Sequence, residues 1–486
     1  MSPKNSVLFL LFLLFHSTPI FLCDLTEGRH VGNGRKHNND HHGHWGRKGN
    51  NGRPKGPNPP AHSPPPSHSD DRPYSSRVFD ILSFGAAGDG VTDDSKALLQ
   101  AWEAACSVGS ATIEIPSEFK FLIRPVTLKG PCRPDLVLKI DGVIMGPSDL
   151  SDWPHKGLLQ WINLMWVHDF TIRGNGIVDG RGSHWWEEPE SLFQESTYRK
   201  SKIIPDTKPT AIRFYGSQNV TVRDISIVNS PQCHLKFDGS GGIRVSNITI
   251  MSPGNSPNTD GIHLQNTNKV EITDATIGCG DDCISIQTGC SEVYIHRVNC
   301  GPGHGISLGS LGRDNSLACV NNITAKNITI QDALSGVRIK TWQGGKGWVR
   351  GVTFSDVSVS NVETPIVIDQ FYCDRRSCRN SSDAVAVSDV TFNGVRGTYA
   401  RQPVYLACSD ARPCEGVRLT DVELSPASER HLRGLLRQPL CWNAYGETRA
   451  PLLPQGIDCL QKGGAAALLL SGASAQDSHP SDQCLP

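Results

Sequence analysis

The chain has 486 residues, enough for one large domain or two to three ordinary ones, and its 47 basic and 48 acidic residues leave a net charge of -1. That balance argues against a nucleic-acid protein held by a global positive field, and leaves room only for a local basic groove. The 48 glycines against 4 methionines suit a β architecture with many tight corners.

At the start, Lys4 precedes an apolar run from Val7 to Phe15 that weakens toward Leu22. The run is shorter than the ~20 apolar residues a comfortable bilayer span requires. It predicts a secretory signal peptide over 1–23, cleaved between about Phe21 and Asp24; an uncleaved signal anchor is the alternative. Secretion suits the 16 cysteines, because extracellular chains use cysteine mostly as disulfides. Cys23 leaves with the signal if cleavage follows it. The close pairs Cys373/Cys378, Cys408/Cys414 and Cys441/Cys459 are placed to staple local loops. No Cys-x-x-Cys occurs, so zinc and thioredoxin chemistry are poor readings, and no metal or other cofactor is expected. Asn-x-Ser/Thr sequons at Asn219, Asn247, Asn322, Asn327 and Asn380 are glycosylation candidates in a secreted chain.

Residues 24–76 hold seven histidines and, between Pro54 and Pro73, eight prolines, with almost no large apolar side chain. No core can form there to offset the chain entropy, so a disordered His/Gly/Pro-rich linker is expected. Its eight basic and five acidic residues give a net of +3, which suits contact with an acidic polymer; a spacer without a partner is the simpler reading. The histidine spacing demands no metal.

The folded region is expected over 77–462. Phe79 to Phe84 alternates as a strand should, Gly85 to Gly90 turns, and Asp93 or Asp94 caps a helix running to about Cys106 with Ala97, Leu98, Ala101, Trp102 and Ala105 on its apolar face. The chain then repeats an alternating apolar/polar unit that often closes on Asp or Asn. Copies start at Val220, Ile243, Val270, Val293, Ile323, Val352, Val385 and Val417, with Phe170 in an earlier one; the steps are 23, 27, 23, 30, 29, 33 and 32 residues. A period of this size built from short strands marks a solenoid. The apolar period of two excludes helical repeats, and a propeller blade needs ~40 residues. The fold class is therefore all-β: a single-stranded right-handed parallel β-helix, with the short N-terminal helix capping its exposed end. Residues 463–486 form a tail of unassigned role, too short and too polar at its flank for an anchor.

Four segments stand out on this frame: Asn258-Thr-Asp260, Gly280-Asp-Asp-Cys283, Gly303-His-Gly305 and Arg338-Ile-Lys340. From Asp260 through Asp281, Asp282, His304 and Arg338 to Lys340 the spacings are 21, 1, 22, 34 and 2. Separations of 21 and 22 residues bring side chains to adjacent coils. Neighbouring residues of a strand face opposite ways, so Asp281 and Asp282 converge only if Gly280 to Cys283 is a corner. Glycoside hydrolysis needs one protonated carboxyl, to protonate the leaving oxygen, and one ionised carboxylate, to activate water. Three crowded carboxylates raise the pKa of at least one of them. Arg338 and Lys340, two apart on a strand, share a face and can grip a substrate carboxylate. Each tripeptide alone is an ordinary turn or strand edge; the joint order and coil-matched spacing carry the reading.

These segments resemble, in order, the four motifs of polygalacturonases, pectin-cutting hydrolases built as right-handed parallel β-helices. Phe84-Gly-Ala-Ala-Gly-Asp-Gly-Val-Thr-Asp-Asp94 also looks like the plant members, and the resemblance spans roughly 78–460. It implies inverting hydrolysis of α-1,4-linked galacturonan. Asp281 would be the general acid, Asp260 and Asp282 would activate water, and His304 would support protonation of the acid. Arg338 and Lys340 would hold a galacturonate carboxylate, with Asn258 orienting its neighbours. Tyr372 matches the family's substrate-site tyrosine more loosely. The resemblance further implies a Cys283–Cys300 disulfide, action outside the cell in the wall, pectin as the polymeric partner, no nucleic-acid or membrane partner, and a monomer. Two rivals stay open at this stage: a pectate lyase-like β-helix enzyme using calcium, and a non-catalytic pectin-binding protein.

Overall fold

The computed structural model describes residues 77–154, 160–186, 208–374, 378, 380–427, 437–462 and 484. The signal peptide, the linker and nearly all of the tail therefore lie outside the described residues.

The strands form a right-handed parallel β-helix of two sheets, one of nineteen strands and one of eleven among the described residues. The eleven-stranded sheet carries the site. Its strands are β1 (Val126–Lys129), β2 (Gln160–Met165), β3 (Thr210–Tyr215), β4 (Leu235–Asp238), β5 (Ile262–Gln265), β6 (Ile284–Ile286), β7 (Ile306–Leu311), β8 (Ser335–Trp342), β9 (Thr364–Tyr372), β10 (Val404–Ala407) and β11 (Leu440–Trp442). All pair in parallel, each with the next in sequence. Side chains alternate across a strand, so in-register stacking puts apolar residues in vertical files inside the coil. Ile212, Leu235, Ile262, Ile284, Ile306, Val337 and Ile366 make one such file, all buried. Phe214 stacks on Phe237 at 5.1 Å between centroids and meets Phe170 tilted at 6.3 Å.

The recurring Asp and Asn have a backbone cause. In the larger sheet two corners per coil adopt positive φ, five residues apart. One file runs Asp169, Asn219, Gly242, Lys269, Glu292, Asn322, Gly351, Asp389, Gly416, and the other Asp224, Asn247, Asp274, Arg297, Asn327, Asp356, Gly394, Asp421. Asn, Asp and Gly tolerate this left-handed conformation best. The repeat assigned at Val385 is corrected by this pattern: Val352 pairs with Val390, so the coil starts five residues later and the steps are 38 and 27. Ser388-Asp389 mimics Ser355-Asp356 while occupying the other corner file. The sequon residues Asn219, Asn247, Asn322 and Asn327 are all exposed corner residues, so the backbone alone accounts for asparagine there.

At the N-terminus the first strand is Arg77–Asp80, not a strand reaching Phe84. Ile81–Phe84 turns as a 3-10 segment, with the Asp80 side chain accepting from Leu82 N–H and Gly85 closing it at φ 88°. Helix α1 (Ser95–Cys106) buries the five apolar residues expected of it. Asp94 is its N-cap residue, but the Asp94 carboxylate turns away to accept Ala87 and Gly88 N–H; the Asp93 side chain accepts from Ser95 N–H instead. The three close cysteine pairs and Cys283–Cys300 are disulfides, joined by Cys106–Cys132 and Cys319–Cys484.

Candidate active site

The four segments enter or lie on consecutive strands of the eleven-stranded sheet. Ile262, Ile284 and Ile306 are in register, so Asp260, Asp282 and His304, each two residues earlier, stand in one file at the strand entrances. Asp281 sits one residue before that file, in the bend between Asn268–Gly278 and β6. The expected corner is thus present, and backbone crowding requires its glycine: a Cβ on Gly280 would lie 1.8 Å from the Ser256 carbonyl oxygen of the coil below. Gly305 is held likewise, at φ 84° and with a Cβ position 2.1 Å from Gly336 O. Thr259 joins the first two segments, because its hydroxyl accepts Gly280 N–H at 2.9 Å.

The three carboxylates have different surroundings. Asp282 is 2 % exposed. It accepts from Arg338 at 2.6 Å and Ser307 Oγ at 2.7 Å on Oδ1, and from Lys340 Nζ at 2.9 Å on Oδ2. Burial alone would raise its pKa; Lys340 and Arg338 outweigh burial and hold it below the ordinary aspartate value. Asp281 faces outward with His304: Nδ1 lies 3.0 Å from Oδ1, with side chains 32 % and 17 % exposed for His304 and Asp281. Asn258 Nδ2 donates to its Oδ2 at 3.4 Å. Burial again opposes ionisation, but the His304 bond and charge, with Lys340 and Arg338, hold Asp281 well below the ordinary range. Asp260 has no lysine or arginine within bonding distance among the described residues. Burial, and then the charges of Asp281 and Asp282, push its carboxyl well above the ordinary value. Of the three carboxyls, Asp260 is therefore the one whose surroundings most favour the protonated form.

Two histidines absent from the sequence reading support Asp260. His263 Nδ1 lies 3.1 Å from Asp260 Oδ2. His234 is fully buried; its backbone N–H and its Nδ1 both reach Asp260 O, at 2.8 and 2.9 Å, and its Nε2 lies 2.8 Å from Ser252 Oγ. A carbonyl only accepts, so Nδ1 carries the proton and Nε2 accepts from the Ser252 hydroxyl. Burial lowers the His234 pKa to about 4, which keeps this arrangement neutral. Ser307 was missed as well, although it follows His304 by three residues just as His263 follows Asp260, a repeated polar position inside an apolar alternation.

Arg338 and Lys340 share a face on β8 as expected, but both are engaged by Asp282 rather than left open. Lys340 Nζ also lies 5.4 Å from the Tyr372 ring centroid, and Trp342 meets Tyr372 edge-on at 5.8 Å. Tyr372 ends β9 at the flank of the cluster. One ligand atom from each of Asp281, Asp282 and His304 lies within 4.8 Å of the others. That is a metal-sized convergence, yet two fixed cations already neutralise Asp282, which disfavours a third positive charge there. The arrangement offers one carboxyl shared with a solvent-facing histidine, one pinned carboxylate and one carboxyl whose pKa is raised, the parts acid/base cleavage of a glycosidic bond requires.

Residues 106–433 match the model of glycosyl hydrolases family 28. A probable polygalacturonase of Arabidopsis thaliana is 37% identical over 79% of this chain and 84% of its own. A polygalacturonase of Persea americana is 40% identical over 74% of this chain and 78% of its own. In structure, the polygalacturonase of Erwinia carotovora superposes with a TM-score of 0.60 over 79% of this chain and 100% of its own, at 22% identity, which speaks to the fold alone.

Proposed function

The chain belongs to glycosyl hydrolases family 28, and from that premise we propose that it is a polygalacturonase hydrolysing α-1,4-D-galacturonosyl linkages of de-esterified pectin with inversion at the anomeric carbon. The observation that carries the reading is the split between Asp281, facing outward with His304, and Asp282, pinned inward by Arg338 and Lys340.

In this reading Asp281 protonates the glycosidic oxygen as that bond breaks. Water held by Asp260 and Asp282 attacks the anomeric carbon from the opposite face and gives its proton to Asp260. The resting cluster, with Asp260 protonated and Asp281 ionised, is then the state left by a completed turnover. A galacturonate carboxylate arriving on Arg338 and Lys340 brings a negative charge and draws off the cation field that holds Asp281 ionised. Both effects favour return of the proton to Asp281, while His304 keeps that carboxyl oriented. The substrate is thereby made a condition for arming the acid.

Release of reducing ends from de-esterified, fully methyl-esterified and rhamnogalacturonan polymers tests the reading. Cleavage of the first alone is expected, since only it offers every unit's carboxylate to Arg338 and Lys340. Equal cleavage of the methyl ester would remove the role given to those cations.

The same reading places the protein in the cell wall as a secreted monomer. It would have residues 1–23 removed, 24–76 as a linker, 77–462 as the catalytic domain and 463–486 as a tail, with glycans on some of Asn219, Asn247, Asn322, Asn327 and Asn380. N-terminal sequencing and intact mass of protein recovered from the medium test these assignments together.

A further inference from the structure

The outward face of the eleven-stranded sheet carries a second charged and aromatic strip, away from the acid cluster. On β3, Arg213 and Tyr215 point outward beside the buried Ile212 and Phe214. Arg213 lies in one register file with Lys236, His263, Ser285, Ser307 and Arg338. Arg213 and Tyr215 thus hold on β3 the positions that Arg338 and Lys340 hold on β8. Just after β2, the Trp166 ring lies against Gly216, where a Cβ would come within 2.8 Å of the indole. Lys129 Nζ is 4.9 Å from the Trp166 centroid, and the Arg213 guanidinium is 4.7 Å from the Tyr215 centroid.

The rings are open to solvent, Trp166 at 40% and Tyr215 at 37%, although burying them would stabilise the fold by ~25 cal/mol per Å² of apolar surface. Arg213 is paired with Asp238 at 2.6 Å; Lys129 is exposed and has no ion-pair partner among the described residues. An exposed ring presents a flat apolar face for the C–H side of a pyranose, and an unpaired ammonium beside it suits a carboxylate.

We propose that Lys129, Trp166, Arg213 and Tyr215 form a distal subsite for the galacturonan chain, an assignment that rests on the polygalacturonase reading. From β6, whose entrance holds Asp281 and Asp282, the strip lies three strand steps away at β3 and five at β1, roughly 14 to 24 Å at ~4.8 Å per step. A pyranose unit in an extended chain advances by about one strand spacing, so the strip meets units three to five from the cut bond. Trp166 and Tyr215 stack on sugar faces, and Lys129 pairs with a uronate carboxylate. Affinity consequently depends on chain length.

The test uses the full-length chain carrying Asp281→Asn, so that ligands bind without being cut, and measures affinities for a galacturonate trimer and octamer. Adding Trp166→Ala weakens the octamer about 10-fold, equivalent to ~1.4 kcal/mol, and leaves the trimer unchanged. Adding Lys129→Gln instead gives an octamer loss that vanishes at high salt, and this surface change keeps the test open if Trp166→Ala folds poorly. Unchanged octamer affinity in both variants, or equal loss for trimer and octamer, overturns the subsite. Failure of the Asp281→Asn parent to bind either oligomer, with no cleavage by the native chain, overturns the polygalacturonase reading before any strip variant is made.

Discussion

Asp282→Asn is the substitution whose consequence follows most directly from the packing. The change leaves Arg338 and Lys340 buried, at 9% and 6% exposure, without the carboxylate that both bond. Breaking a buried ion pair by removing one partner costs ~3–5 kcal/mol, and the retained amide oxygen places this case near ~3 kcal/mol. For about 350 residues, the number the structure describes, the unfolding entropy is roughly 0.7 kcal/mol/K, so the melting temperature falls by about 4 °C. The effect depends on pH with a definite sign. The folded-state pKa of Asp282 lies below the ordinary 3.8, so its stabilisation is complete above that value and is lost as pH falls through the folded pKa. Melting curves of native and Asp282→Asn protein at pH 6 and pH 3 provide the assay. A gap of several degrees at pH 6 that closes toward pH 3 is expected. An Asp282→Asn protein as stable as the native chain at pH 6 would refute the pinned-carboxylate account.

Asp281→Asn should reduce galacturonan cleavage by ~10²–10⁴-fold, the usual range for losing a general acid, and should also lower the melting temperature at pH 6, because His304, Lys340 and Arg338 favour the ionised carboxylate in the folded state; reducing-end release and a thermal scan check the pair. His234 has a folded pKa of about 4 against an ordinary 6.5. Its stabilisation is complete above pH 6.5 and is lost as pH falls to 4, about 3 kcal/mol in all; denaturant midpoints of native and His234→Gln protein across that window should show the native curve falling more steeply. Replacing both Cys283 and Cys300 by Ala opens a link spanning 17 residues and should cost about 3 kcal/mol, read from the same midpoints.

The fold was legible where sequence separation equals one coil. Asp260, Asp282 and His304 are 22 residues apart, and register places them in one file because the intervening corners keep the same length. Legibility failed where two positions share a chemistry. Both corner files favour Asp, Asn and Gly, so Ser388-Asp389 aligned with the wrong corner. Phe79 to Phe84 alternates as a strand, yet the Asp80 side chain captures Leu82 N–H and turns the chain. In the site, residue identity showed which groups gather but not who holds the proton. That depends on burial and on Arg338 and Lys340 closing onto Asp282 from two strands away, which no spacing reveals. His234 was hidden for a related reason: it acts on the Asp260 main chain, and a histidine bonding a carbonyl leaves no mark in a motif.

The central claim is inverting hydrolysis by this carboxylate cluster without a metal. Real-time proton NMR of de-esterified polygalacturonate with the full-length protein and excess chelator tests it most directly. New reducing ends should appear first as the β-anomer and only later equilibrate. Unsaturated products, α-anomer appearing first, or no product until calcium is restored would contradict the roles given to Asp281, Asp260 and Asp282.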